Sequence, residues 1–178
     1  MSPFELRLAT FKDVPGIESL IAASVNGLQA GDYSEEQRAG ALGSVFGVDR
    51  SLLRDGTYFV IFSGSVMVAC GGWSRRRTLF GSDNVVGKDD AFLDPAVDAA
   101  RIRAFFVHPD WARRGLGRQL LEAGEQAARA AGFTRLELGA TLTGIPLYER
   151  YGFQPMERSE VPLPNGGTLP ILKMGKAI

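Results

Sequence analysis

Two glycines stand two residues apart among three arginines in the run Arg113-Arg114-Gly115-Leu116-Gly117-Arg118. Residues with helical periodicity follow at once, so these main-chain N–H groups fall in a first helical turn. There they have no intrahelical partner, and the helix dipole is positive. Glycine lets a ligand come close to the backbone, and an anion is the natural guest, above all a phosphate or pyrophosphate. Arginines beside such a turn add attraction for phosphate oxygens. A plain solvated helix start is the alternative reading of the same residues.

The elements that must position this turn are a strand before it and a helix after it. Ala104-Phe105-Phe106-Val107 is a short apolar run suited to a strand covered on both faces, and Pro109 stops it. The helix carries Leu116, Leu120, Leu121, Ala127, Ala128 and Ala131 on one stripe. Arg118, Gln119, Glu122, Glu125 and Arg129 lie elsewhere, and Gly132 closes it. Thr134 to Thr141 alternates as the next strand, pairing in parallel with 101–107 through a right-handed crossover.

Spacing separates the phosphate-binding alternatives. No Gly-x-x-x-x-Gly-Lys-Ser/Thr string occurs. A dinucleotide fingerprint needs a third small residue where this chain has Leu120, and its first glycine should follow the strand almost at once. Here 108–114 intervene; only Glu137, at the distance of a ribose-binding acid, agrees. The segment from Val107 to Leu121 instead resembles the acyl-CoA motif of the GNAT superfamily of N-acetyltransferases, whose core is Gln/Arg-x-x-Gly-x-Gly/Ala after a strand ending in Val-x-Pro. A second segment, Leu147-Tyr148-Glu149-Arg150-Tyr151-Gly152-Phe153, is similar to the family's Leu/Phe-Tyr-x-x-x-Gly-Phe. The resemblance covers roughly residues 58–174. The chain departs from the family pattern at Ala112, Thr141 and Gly144, where the family usually has Gln or Arg, Asn and Ala.

The resemblance implies one α/β (α+β) domain spanning 1–178. Its sheet would be mixed and mostly antiparallel, with a central parallel strand pair splayed at the cofactor site and helices on both faces. It implies acetyl-CoA as co-substrate, no metal, and direct transfer to a primary amine in a ternary complex. The backbone of Phe105, Phe106 and Val107 would meet the acetyl carbonyl and the pantetheine. Arg113, Arg114, Gly115, Leu116, Gly117 and Arg118 would hold the pyrophosphate. Thr141 would contact the pantetheine arm, and Arg150 would reach the adenosine end or remain a solvated charge. Tyr148 stands where many members place the general acid, and a phenol of pKa about 10 matches a leaving thiolate better than a carboxylic acid does. A catalytically silent acyl-CoA-binding sensor is the alternative function.

For the general base, Glu137 sits on the strand beside the cofactor strand, or else simply faces solvent. Asp94 and Asp98 are rivals from the long loop, whereas His108, beside Pro109, reads as loop-structuring. Trp73, Tyr33 and the loop aspartates are candidates to line a pocket for a cationic amine. Arg75-Arg76-Arg77 reads as a solvated turn or a site for an anionic partner, and Cys70 as buried and inert. The acceptor is a small-molecule or peptide amine of unspecified identity.

Composition bounds these readings. The 178 residues are 45% hydrophobic, enough for one core, and Lys plus Arg equals Asp plus Glu at 20 each. That balance speaks against a generic nucleic-acid or membrane-surface binder. With one cysteine, no signal sequence and no long apolar run, a cytoplasmic location is expected.

In the remaining chain, residues 4–9 read as a strand. A helix capped by Thr10 or Asp13 should end near Asn26-Gly27, and a second helix is capped by Ser34 with Gln37. Residues 57–73 read as a hairpin closed by Gly71-Gly72, and 74–99 as a long surface loop. A C-terminal strand pair turns at Pro164-Asn165-Gly166-Gly167, with an exposed edge suited to a homodimer.

Overall fold

A computed structural model describes residues 3–178. Alternating side chains give β1 (Glu5–Leu8), which pairs antiparallel with β2 (Tyr58–Ser63); β2 turns through Gly64 into β3 (Val66–Ser74). β3 pairs antiparallel with β4 (Ala100–Val107), and β4 pairs in parallel with β5 (Arg135–Thr141). β7 (Thr168–Ala177) returns antiparallel to β5 and carries β6 (Gln154–Pro162) on the outer edge. The seven strands thus run in the order β1-β2-β3-β4-β5-β7-β6, mostly antiparallel with one parallel pair. β6 is exposed along nearly its whole length, as an edge strand with prolines and charges can be.

Helices cover both faces. On one face α1 (Val14–Leu28), α2 (Glu35–Ala41) and α3 (Arg50–Asp55) bury Ile17, Ile21, Val25 and Leu52 against Val60, Phe106 and Ile171. On the other, α4 (Leu116–Ala130) and α5 (Ile145–Arg150) bury Leu121, Ala128 and Tyr148 against Ile102, Leu136 and Phe153. The expected capping box is present: the Gln37 N–H donates to Ser34 Oγ at 3.1 Å and the Ser34 N–H to Gln37 Oε1 at 2.9 Å.

Three local expectations are corrected. Asn26-Gly27 does not end α1, which continues to Leu28. A Cβ on Gly27 would lie 2.3 Å from Pro109 Cγ, so this glycine lets the loop after β4 rest on the helix. Gly71 and Gly72 do not close the hairpin but sit inside β3. The arginine run is not a free turn: Arg76 forks onto Asp55 at 2.7 and 2.8 Å, and Arg75 lies over the Trp73 ring. Among the described residues no helix is long and apolar enough to cross a membrane.

Candidate active site

The site begins with a defect in the pairing of β3 and β4. Cys70 faces Phe106 and Gly72 faces Arg103, so Ala104 and Phe105 together oppose Gly71 alone. That is a β-bulge, and it places Ala104 at φ +56°, a left-handed backbone that costs an L-residue about 1–2 kcal/mol. The surroundings hold it there. The Tyr58 hydroxyl, fully buried, donates to the Ala104 carbonyl oxygen at 3.1 Å. A Cβ on Gly71 would lie 2.4 Å from Phe105 Cδ1, and one on Gly72 would lie 2.3 Å from the Thr57 carbonyl oxygen. The glycine pair therefore makes room for the bulge on one side and for close strand approach on the other.

The bulge bends β4 away from β5. The two pair only at Ala100 with Leu136 and Arg101 with Glu137; beyond that point they splay. The β4 edge at Phe105 and Phe106 then faces a cleft instead of a strand, with Thr141 and Tyr148 on the opposite wall, while Val107 packs beside Leu116 and Leu120 of α4. Tyr148 is 8% exposed and packs its ring between Phe105 and Phe153. Burial raises the pKa of its phenol well above the usual value, so it keeps its proton at neutral pH. Thr141 Oγ1 accepts from the Gly144 N–H at 3.1 Å, and a Cβ on Gly144 would lie 2.8 Å from Tyr148 Cε2. The two departures from the family pattern are thus one local solution: a hydroxyl caps the turn and a bare Cα admits the tyrosine ring.

At the outer end of β4, His108 Nδ1 accepts from the Asp110 N–H at 3.1 Å, the loop-structuring role expected of it. Arg113 takes φ +60° and Gly115 φ +80°, and Gly115 becomes the N-cap of α4 with no side chain capping the amides that follow. A Cβ on Gly115 would meet nothing within 4 Å, whereas one on Gly117 would lie 2.6 Å from Leu147 Cδ2. The glycines therefore differ in purpose: Gly115 serves the backbone turn and open access, and Gly117 serves packing of α4 on α5. Leu116 is buried, leaving only its main chain for a ligand. Arg114 stacks on Trp111 at 4.7 Å, and Arg118 pairs with Glu122 at 2.8 Å. Arg113 and Arg150 are exposed.

The other anticipated residues are not brought to the cleft. Glu137 lies where the strands still pair, 2.6 Å from Arg101 Nη1 and 3.3 Å from Lys173 Nζ, a carboxylate engaged by two cations. The Asp94 N–H donates to Asp98 Oδ2 at 2.8 Å in a turn that leads into the start of β4. Trp73 is buried against Phe133 on the α4 face. The Tyr33 hydroxyl donates to the Pro170 carbonyl at 2.7 Å and accepts from the Leu142 N–H at 3.0 Å, tying β7 to the end of β5. Cys70 is buried, which pushes its thiol up to about 12.

The sequence reading missed Arg103 and Asp49. Arg103, 2% exposed, donates to Asp49 Oδ2 at 2.8 Å, the Gly81 carbonyl at 2.7 Å and the Thr78 carbonyl at 3.2 Å; its buried Nε has no partner among the described residues. It fastens the long 75–99 connection to the strand that bears the bulge. The available signal was an arginine next to the apolar run Ala104 to Val107 of the central strand.

The sequence matches the Acetyltransferase (GNAT) domain family over residues 54–155, more than half of the chain. No curated protein matches it. Among solved structures, a GCN5-related N-acetyltransferase from Rhodopseudomonas palustris superposes with a TM-score of 0.74 at 24% identity, covering 100% of this chain and 98% of that one. The PaiA N-acetyltransferase from Thermoplasma acidophilum, solved in complex with coenzyme A, gives 0.68 at 16% identity with both chains covered completely. YncA from Salmonella typhimurium, solved with its cofactor acetyl-CoA, gives 0.61 at 16% identity, covering 99% and 94%. At these identities the structural likeness establishes the fold.

Proposed function

Because this chain belongs to the GNAT acetyltransferase family, we propose that it transfers an acetyl group from acetyl-CoA directly to a primary amine in a ternary complex. One observation carries this reading: the β4 edge, unpaired beyond the bulge, is followed after the short 108–115 loop by the uncapped amides at the start of α4. A strand edge offers donors and acceptors to an extended pantetheine, and bare helix amides suit a diphosphate. The open space over Gly115 leaves that approach clear. Coenzyme A and acetyl-CoA in the Thermoplasma and Salmonella structures support the same ligand here.

Each residue then has a task. The amides of Gly115, Leu116, Gly117 and Arg118 bind the pyrophosphate, with the Arg113 and Arg114 side chains adding charge; Arg150 lies toward the adenosine end. The backbone of Phe105, Phe106 and Val107 orients the pantetheine and polarises the acyl carbonyl, each well-aimed donor contributing about 3 kcal/mol to the barrier reduction. Thr141 flanks the arm. Bound acetyl-CoA supplies the thioester acyl group. Tyr148, kept protonated by burial, gives its proton to the departing thiolate. Glu137, held between Arg101 and Lys173, has no part in the transfer.

A second reading, a silent acyl-CoA sensor, draws support from the absence of any carboxylate or histidine among the residues lining the cleft. A screen of primary amines with acetyl-CoA and thiol-release detection separates the two. The enzyme releases coenzyme A in proportion to the acetylated amine; binding without release in every well would favour the sensor.

A further inference from the structure

The wall of the cleft restricts which amines it can accept. Its lining combines the aromatic faces of Phe46, Phe80, Phe105 and Phe106 with main chain from β4 and β5, and of all the lining residues only Arg103 is charged. Behind that wall the balance is not negative. Arg103 and Lys88 lie 2.8 and 2.9 Å from the same carboxylate, Asp49. The next acid outward, Asp83, is taken by Arg50 at 2.7 Å and also lies 3.7 Å from Lys88, and Arg50 in turn lies 3.9 Å from Glu18, so three cations and three acids cancel. The phenols and the thiol around the cleft are neutral. Burial holds the proton on Tyr148 from α5 and on Tyr58 and Cys70 behind the bulge, and pushes Tyr33, which packs against Phe46, up to about 12. An ammonium ion entering here would leave water and find every nearby acid already paired with an arginine or lysine, a cost that ring faces only partly offset.

We infer that the acceptor enters this cleft as the neutral amine, having shed its proton to water outside, and that the cleft takes amines with a single basic group on an apolar body and turns away di- and polyamines. This rests on the acetyl-transfer reading above and explains how transfer proceeds with no side-chain base in reach. Desolvation favours the uncharged nitrogen, which is also the nucleophilic form. As the C–N bond forms and the C–S bond breaks, the Tyr148 proton passes to sulfur. The proton then lost by the acylated nitrogen restores the phenol, so atoms and charge balance.

The test is kcat/KM of the intact chain, over roughly pH 6 to 10, for trifluoroethylamine, benzylamine and hexylamine, with 1,6-hexanediamine as the charged counterpart of hexylamine. Each expected profile follows its own amine: level for trifluoroethylamine, whose pKa lies below the range, bending within it for benzylamine and still rising at its upper end for hexylamine; the diamine falls at least about tenfold below hexylamine, a difference of about 1.4 kcal/mol. An inflection fixed at one pH for every amine would place a base on the protein and overturn the inference, as would equal or better use of the diamine; in both cases acetyl transfer itself stands. Acetyl-CoA binding with no transfer to any amine would instead remove the acetyl-transfer reading and this inference together.

Discussion

The Tyr58 hydroxyl donates to the Ala104 carbonyl oxygen at 3.1 Å, joining the first hairpin to the bulge residue of β4. Tyr58 is buried, and the contact holds a left-handed alanine in a position that an unconstrained chain would avoid. The splay of β4 from β5, and with it the whole cleft, follows from that one strained residue.

Tyr58→Phe therefore leaves the Ala104 carbonyl only the long contact from the Cys70 thiol at 3.9 Å and should cost about 1–2 kcal/mol in urea unfolding. It should also weaken acetyl-CoA binding, because the β4 edge is then less firmly presented. Ala104→Val, placing a β-branched side chain at φ +56°, should be the more damaging change. A Tyr58→Phe protein that kept full stability and full affinity would remove the bulge anchor from the account.

Gly117 and Leu147 form a second testable pair. A methyl at 117 would sit 2.6 Å from Leu147 Cδ2, so Gly117→Ala should destabilise by about 1 kcal/mol through overpacking of α4 on α5. Combining it with Leu147→Ala should cost less than the sum of the two single changes in a double-mutant cycle of unfolding free energies. Strict additivity would mean that the glycine serves something other than this contact.

Tyr148→Phe separates chemistry from binding. Loss of a positioned general acid should lower kcat by about 10²-fold or more while the acetyl-CoA Kd stays near that of the parent. Unchanged turnover would assign the leaving-group proton to water.

Acid stability follows from Asp49. Burial alone would raise its pKa, but Arg103, the Ser51 hydroxyl and Lys88 outweigh that and hold it at about 2, below the ordinary 3.8. The folded value lies below the unfolded one, so this stabilisation is complete above about pH 4 and is lost as pH falls toward 2. Asp13, drawn down to about 2 by its hydrogen bonds to Arg7, contributes in the same window. Urea midpoints should fall steeply between pH 4 and 2. Asp49→Asn should be less stable at pH 7, leaving Arg103 buried without its anion, and should lose less on further acidification.

The central unit was legible in the sequence because its signals are local. An apolar strand, a proline stop, a glycine turn and an amphipathic stripe each leave a mark within a few residues, and β4, α4, β5 and α5 stand where those marks put them. The glycines were harder, since Gly27, Gly71 and Gly117 owe their identity to Pro109, Phe105 and Leu147, partners set by tertiary packing. The placement of Glu137 was hidden for a related reason: its strand is adjacent to β4, but the bulge decides which end opens, and Glu137 lies at the end that stays paired. Arg103 and Asp49 lie 54 positions apart, and nothing in either neighbourhood announces the other.

The claim that the α4 turn holds the diphosphate is tested most directly by isothermal titration of acetyl-CoA into the parent chain and into Gly115→Val, which forces a β-branched residue to φ +80°. The expected result is saturable binding of one acetyl-CoA per chain in the parent and its loss in a variant that remains folded by circular dichroism. No binding to the parent, or equal binding to both, would contradict it.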